Sequence, residues 1–189
     1  MTGIATSALV AFFVATSVGS TSLPSAWAAT TPQAPIYPVY QVTLTGYNAT
    51  SAQTDGDPST TASGAYADPD VVAARSRDLA DELPYGTVIS ITPSATSSPD
   101  CGYGLVSNRV GLRVIADTMN ARMHNKVDIL FGTDATVKVS GKSTNAARVL
   151  GVCKDFTIAV VGHIDPDHMP KDQLSLKLAL GQTELADSK

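Results

Sequence analysis

Charge is missing from the start of this chain: between Met1 and Ala28 there is no Asp, Glu, Lys or Arg. Ile4–Val18 is largely apolar with small residues between, and the stretch ends in Leu23-Pro24-Ser25-Ala26-Trp27-Ala28-Ala29. That ending offers a small–x–small cleavage site at Ala26 and Ala28 behind a helix-breaking proline. Residues 1–28 therefore read as a secretory signal peptide, although the basic residues that normally precede such an apolar run are absent. The alternative, an uncleaved membrane anchor, fits less well, because the run is short and diluted by Thr and Ser. Both readings exclude the cytoplasm and place the protein in the cell envelope or outside the cell.

A basic excess is lacking too. Lys and Arg number 13 against 17 Asp and Glu, for a net charge of −4. Nothing is available to displace counterions from phosphates, which excludes nucleic acid as a partner. The basic residues are scattered rather than clustered, so no membrane association is expected once the leader is removed. Hydrophobic residues at 43% with charged residues at 16% can fill a core, which excludes disorder throughout.

Cysteine is scarce. An exported chain with only Cys101 and Cys153 is expected to join them in one disulfide. Closing so long a loop is worth about 4 kcal/mol in the chain-entropy model. Two isolated cysteines make a poor zinc site, no His stands at ligand spacing from either, and no base is visible to activate a thiol. His124, His163 and His168 form no HExxH pattern, and Asp55-Gly56-Asp57 lacks EF-hand spacing. No metal site and no cofactor is expected. There is no internal repeat.

Helix signals are few. Only Ser143–Leu150 looks helical within the body of the chain, with Ser143 or Thr144 as N-cap and Gly151 as C-cap, and Asp78–Glu82 suggests one further turn. What the chain does contain is a series of short runs rich in Val, Ile and Thr: Val39–Ala49, Val71–Ala74, Leu83–Ile91, Gly111–Ala116, Lys126–Phe131 and Phe156–Val161. Such runs suit pleated, half-buried surfaces. Many short strands with little helix predict an all-β fold, a small barrel. Residues 29–38 (ATTPQAPIYP) read as a linker, residues 39–165 as the domain and 166–189 as a C-terminal tail. In the tail, LSLKLALG fits a strand or a short helix. Ser51–Tyr66 has no strand pattern, and a loop of that length is usually functional or disordered.

The chemistry concentrates in Gly111–Phe131, GLRVIADTMNARMHNKVDILF. One apolar strand ends at Asp117 and the next carries Asp128 between Val127 and Ile129. A buried carboxylate is costly unless protonated or hydrogen-bonded, and two brought close would push one pKa up. A carboxylic acid kept protonated is what a glycosidic oxygen needs as a proton donor. Spacing alone favours a structural role, with both aspartates capping turns or pairing with Arg113 and Arg122. The loop Gln53–Gly64, with its hydroxyls, acids and glycines, suits the lining of a cleft for a polar polymer such as a sugar chain.

The motifs around the aspartates reverse that balance. TGYNA (Thr45–Ala49), QTDGDPSTTASG (Gln53–Gly64), VAARSRDL (Val72–Leu79), LPYGTVISI (Leu83–Ile91), ADTMNARMHNKVDILF (Ala116–Phe131) and LGVCKDFTIAVV (Leu150–Val161) occur in the order of the three-aspartate ("3D") domain family. Roughly residues 40–162 resemble that domain, which is similar to the catalytic barrel of membrane-bound lytic transglycosylase A and to stationary-phase muralytic proteins. The resemblance implies a six-stranded double-psi β-barrel with one or two short helices. It also implies cleavage of the MurNAc–GlcNAc β-1,4 bond of peptidoglycan strands with formation of a 1,6-anhydro end. Asp128 falls on the position of the general acid/base, Asp117 on that of the neighbouring aspartate, and Asp78 on that of the third. Tyr47, Thr61 and Gly64 fall on positions lining the cleft. Two departures stand out: Met119-Asn120 replaces the usual glycine pair, and GTDATVKVSGKST (Gly132–Thr144) lengthens the segment after Asp128. Barrels of this general type also bind glycans without cutting them, so a non-catalytic peptidoglycan-binding module is the alternative.

Overall fold

A computed structural model describes residues 37–52, 54, 57–94 and 101–187, with side chains of the last helix described as far as Gly181. The expected leader (1–28) and nearly all of the linker (29–38) lie outside the described residues, as do Gln53, Asp55 and Gly56 of the loop. The described residues belong to a single unit, Ile36–Lys189.

Alternation in the first strand, β1 (Val39–Asn48), sets the pattern for the whole barrel. Val42 and Leu44 are buried on one face, and Thr43, Thr45 and Tyr47 occupy the other. Five more strands continue it: β2 (Val72–Arg75), β3 (Thr87–Pro93), β4 (Arg113–Thr118), β5 (Lys126–Phe131) and, in chain order the last, β8 (Cys153–His163). They close in the order β1-β5-β2-β4-β3-β8, with β1 pairing back onto β8. Two of the pairings, β1 with β5 and β2 with β4, are parallel, and the rest antiparallel. Closure leaves none of these strands with an unpaired edge. The predicted all-β, six-stranded barrel is therefore what forms.

The barrel has two apolar layers. Val42, Leu44, Ala73, Ile89, Ile115, Val127, Ile129, Phe156 and Ile158 fill the interior. A second layer on the outer face gathers Tyr47, Ala65, Val72, Ala74, Val88, Val114, Ala116, Met119, Leu130 and Leu176. Each fully buried aliphatic side chain contributes about 1.5–3 kcal/mol. A short helix α1 (Tyr103–Val106) and a second, α2 (Ala146–Leu150), supply Val106 and Leu150 to the inner layer. Gly46 is what lets α2 approach: a Cβ there would lie 3.0 Å from the Phe131 ring and 3.1 Å from Ala147 Cα.

Among the described residues two arginines are buried, and neither is ion-paired with an acid. Arg113 donates to five backbone carbonyls, those of Val110 (2.5 Å), Pro69 (2.6 Å), Val72 (3.4 Å), Leu130 (3.3 Å) and Arg109 (2.5 Å). Arg75, near the other end of β2, donates to Leu83 O (2.9 Å) and lies 5.0 Å from the Tyr85 ring centroid.

Several boundaries differ from expectation. The lengthened segment after Asp128 forms a hairpin of β6 (Thr136–Val139) and β7 (Lys142–Asn145), turned at Ser140 and Gly141, both at positive φ. That hairpin occupies the front of the helix expected at 143–150, so α2 starts only at Ala146. Its cap is Asn145, whose side chain accepts from Ala147 N at 3.0 Å, while Gly151 ends it at φ 66° as expected. The turn expected near Asp78 is a 3-10 turn at Arg77–Leu79. The tail forms α3 (Gln173–Asp187), which buries Leu176 against the outer layer. Cys101 and Cys153 are joined, with Cα atoms 5.4 Å apart. No described helix is long and apolar enough to cross a membrane.

Candidate active site

The site lies on the outer face of the sheet formed by β1, β5, β2 and β4. Thr45 on β1 is in register with Asp128 on β5, Asp128 with Ala74 on β2, and Ala74 with Asp117 on β4. Residues directly opposite one another across strands project to the same side. Thr45, Asp128, Ala74 and Asp117 thus form one row, with the two aspartates separated by two inter-strand spacings, about 9–10 Å between Cα atoms.

The two carboxylates have different surroundings. Asp117 accepts three hydrogen bonds: from Tyr47 Oη at 2.9 Å, from Ala62 N at 3.0 Å and from its neighbour Thr118 N at 2.8 Å. Asp128 accepts one, from Thr45 Oγ1 to its Oδ1 at 2.8 Å; its Oδ2 accepts none among the described residues. Burial pushes the Asp128 carboxyl up to about 6; the Thr45 hydroxyl and the Lys126 ammonium oppose the rise, and the negative charge of Asp117 adds to it. The expected influence of Asp117 is present, but desolvation is the larger cause. Tyr47 is buried, and burial together with Asp117 holds its phenol far above its usual value, so it remains a donor.

Neither aspartate takes the arginine partner that a purely structural role would supply. Arg113 is saturated by carbonyls, and Arg122 donates from Nε to Asn120 Oδ1 at 3.2 Å. Asp117 does cap Thr118, so the turn-capping half of that alternative holds for it.

The remaining predicted residues divide into two groups. Thr61 is in the loop that covers Asp117; its hydroxyl donates to Ala65 O at 3.0 Å and pairs with Ser63 Oγ at 3.1 Å. Gly64, at φ 90°, is exposed and turns this loop, with nothing within 4 Å of where its Cβ would be. Ser63 N bonds Ala116 O, and Thr60 bridges to Tyr66, so the segment is tied to β4 and to itself. Asp78 is outside the row: its Oδ2 accepts from Asn125 N at 2.8 Å, and its Oδ1 is 3.9 Å from His124 Nδ1. It holds the amide of Asn125, the positive-φ residue that leads into β5. His168 pairs with Asp165, and no group of three or more metal-ligating side chains occurs among the described residues.

Thr45 was not singled out in the sequence. Its signal was the alternation of β1, which puts Thr45 and Tyr47 on one face, one hydroxyl for each aspartate. Compared with known proteins, the chain matches no family model, and no curated protein matches it significantly.

Proposed function

We propose that this chain is an exported peptidoglycan lytic transglycosylase that cleaves the MurNAc–GlcNAc β-1,4 bond and leaves a 1,6-anhydro-muramyl end. One observation carries the reading: Asp128 is a partly exposed carboxyl with one oxygen held by Thr45, its other oxygen unengaged, and a pKa near 6. Such a group is protonated in a useful fraction near neutrality and can release and regain a proton in one cycle. The ordered motifs resembling the three-aspartate domain, and the six-stranded barrel they imply, add to it, as the disulfide does to export.

In this reading Asp128 donates its proton to the glycosidic oxygen as the bond from the muramyl C1 breaks. The resulting carboxylate takes the proton of the muramyl C6 hydroxyl, whose oxygen closes onto C1. Asp128 ends protonated, as it began. No water is activated, so a second carboxylate acting as base is unnecessary, unlike the arrangement of an inverting hydrolase. Asp117, held by three donors, fixes the covering loop and contributes negative charge beside the cationic transition state.

Digestion of purified peptidoglycan followed by mass spectrometry tests this. Anhydro-muropeptides are the expected products. Reducing-end products would make the protein a hydrolase. Binding without any cleavage would make it a glycan-binding barrel.

A further inference from the structure

Lys126 sits two residues before Asp128 on the same face of β5. Its ammonium is near enough for its charge to act on Asp128, yet its hydrogen-bond contact is a thioether, Met123 Sδ at 3.6 Å. That contact places it against the turn Asn120–Met123, which also carries the exposed Arg122. Arg122 spends its Nε on Asn120. Neither cation is ion-paired with an Asp or Glu among the described residues, where the salt bridges found involve His124 and His168. The nearby carboxylate of Asp78 is committed to the Asn125 amide. Lys126 is also held at both backbone groups by Ser76, whose hydroxyl accepts from Lys126 N at 3.0 Å and whose N–H donates to Lys126 O at 2.9 Å. Lys126 thus borders the candidate acid without an acidic partner, and Arg122 stands on the turn that Lys126 packs against, in a chain that is acidic overall.

We infer that Lys126 and Arg122 form a carboxylate-binding rim of the site, selecting glycan strands that bear carboxylates over neutral strands with the same β-1,4 linkage. The inference rests on the glycan reading of the site but concerns binding rather than cleavage. In peptidoglycan, carboxylates are carried by the stem peptides, and by the lactyl ether wherever its stem peptide has been removed. A planar guanidinium and an ammonium on one turn-and-strand segment offer a bidentate and a point-charge donor for such groups. A neutral acetylglucosamine polymer offers them nothing.

Co-sedimentation with insoluble glycans measures this without any turnover. Three materials are compared, all freed of phosphate-bearing wall polymers: intact peptidoglycan, peptidoglycan with its carboxyls amidated by carbodiimide and ammonia, and peptidoglycan stripped of stem peptides by an amidase. Binding is expected to fall about five- to tenfold on amidation, and K126M/R122Q should bind intact and amidated material equally weakly. Stripping removes the stem-peptide carboxylates and frees the lactyl carboxylate, so loss on stripping assigns the contact to the stem peptide, and retention shows that the rim takes a carboxylate at either position. Equal binding of the wild-type protein to intact and amidated strands overturns the proposal, as does a double variant that still discriminates. If anhydro products never form while the discrimination persists, the transglycosylase reading fails and the rim stands. A spectrum of the double variant matching the wild type in circular dichroism and melting separates lost contacts from a lost fold.

Discussion

Asp117 and Asp128 share a register partner, Ala74, from opposite sides of β2. This depends on a register shift: Ala73 pairs with Ile115, but Ala74 pairs with Asp117, leaving Ala116 as an extra residue. Without that bulge Ala74 would face Ala116, and Asp117 would point into the apolar interior beside Ile115. The irregularity re-aims one carboxylate onto the face that carries the other.

Asp128→Asn should abolish cleavage while leaving the fold intact. It should also reveal what the acid costs the fold. The folded-state pKa of about 6 lies above the ordinary value of 3.8. The contribution of Asp128 to stability is therefore fully present below pH 3.8 and is lost as pH rises through 6. With partial exposure discounted, the loss is on the order of 1–2 kcal/mol. Thermal melts should show Asp128→Asn equal to the wild type at acid pH and a few degrees more stable at pH 8. Activity of the wild type should decline above pH 6 as the proton donor ionises. A variant that gains no stability at pH 8 would mean that the carboxyl is not strained by burial.

Asp117→Ala acts elsewhere. It removes the acceptor of Tyr47 Oη and of the Ala62 amide together, and the buried phenol then lacks a partner. The expected loss is about 2–3 kcal/mol. Hydrogen exchange should show the Ala62 amide losing protection, while Ser63, bonded to Ala116 O, keeps more of its own. Asp117→Asn retains an acceptor oxygen and should lose less.

How far these features could be read in advance follows from what each depends on. Lys126–Phe131 was readable to the residue because it is a short apolar run broken only by Asp128, with Val127, Ile129 and Phe131 turned inward and Leu130 in the outer layer. The β6–β7 hairpin was not, since its strands are short, mostly exposed and built from Thr, Lys and Ser. In the tail, leucines at 174, 176, 178 and 180 mimic a strand. The structure resolves them as a helix in which Leu176 is buried while Leu174 and Leu178 are exposed at 68% and 59%. Tertiary contact, not periodicity, decided that segment. The aspartates were singled out in the sequence, and the structure sets both in one row on the outer face. The bond from Thr45 to Asp128 was not, because it depends on a parallel register between strands more than eighty residues apart.

Arg113 should prove more important to folding than any single hydrophobic residue. It is wholly buried, burial lowers its pKa only to about 10, and it remains charged at neutral pH. Five carbonyls share its guanidinium. Arg113→Lys offers three protons from one point and cannot reach them all. A loss of about 2–4 kcal/mol is expected in urea unfolding for Arg113→Lys, with Arg113→Met no better. A methionine variant as stable as wild type would show that the carbonyls find other donors.

Besides the buried Leu176, one polar side chain fastens the C-terminal helix to the barrel. Gln173 accepts from Leu112 N at 2.9 Å and donates to Leu112 O at 2.8 Å and to Asp70 O at 2.7 Å. An amide side chain thus satisfies both backbone groups of Leu112, as a paired strand would. Gly111, at φ 55°, leaves room for it, since a Cβ would fall 2.4 Å from Gln173 Oε1. Gln173→Ala should cost about 1 kcal/mol by leaving the half-buried backbone groups of Leu112 without their partner. Gly111→Ala should cost at least as much, from the clash and the left-handed backbone together. Truncation after Pro170 removes Leu176 as well and should lower the melting temperature further than either, exposing the outer layer to a hydrophobic dye. If truncation leaves melting unchanged, the helix is an appendage, and the outer layer around Val114 and Leu130 must be covered in another way.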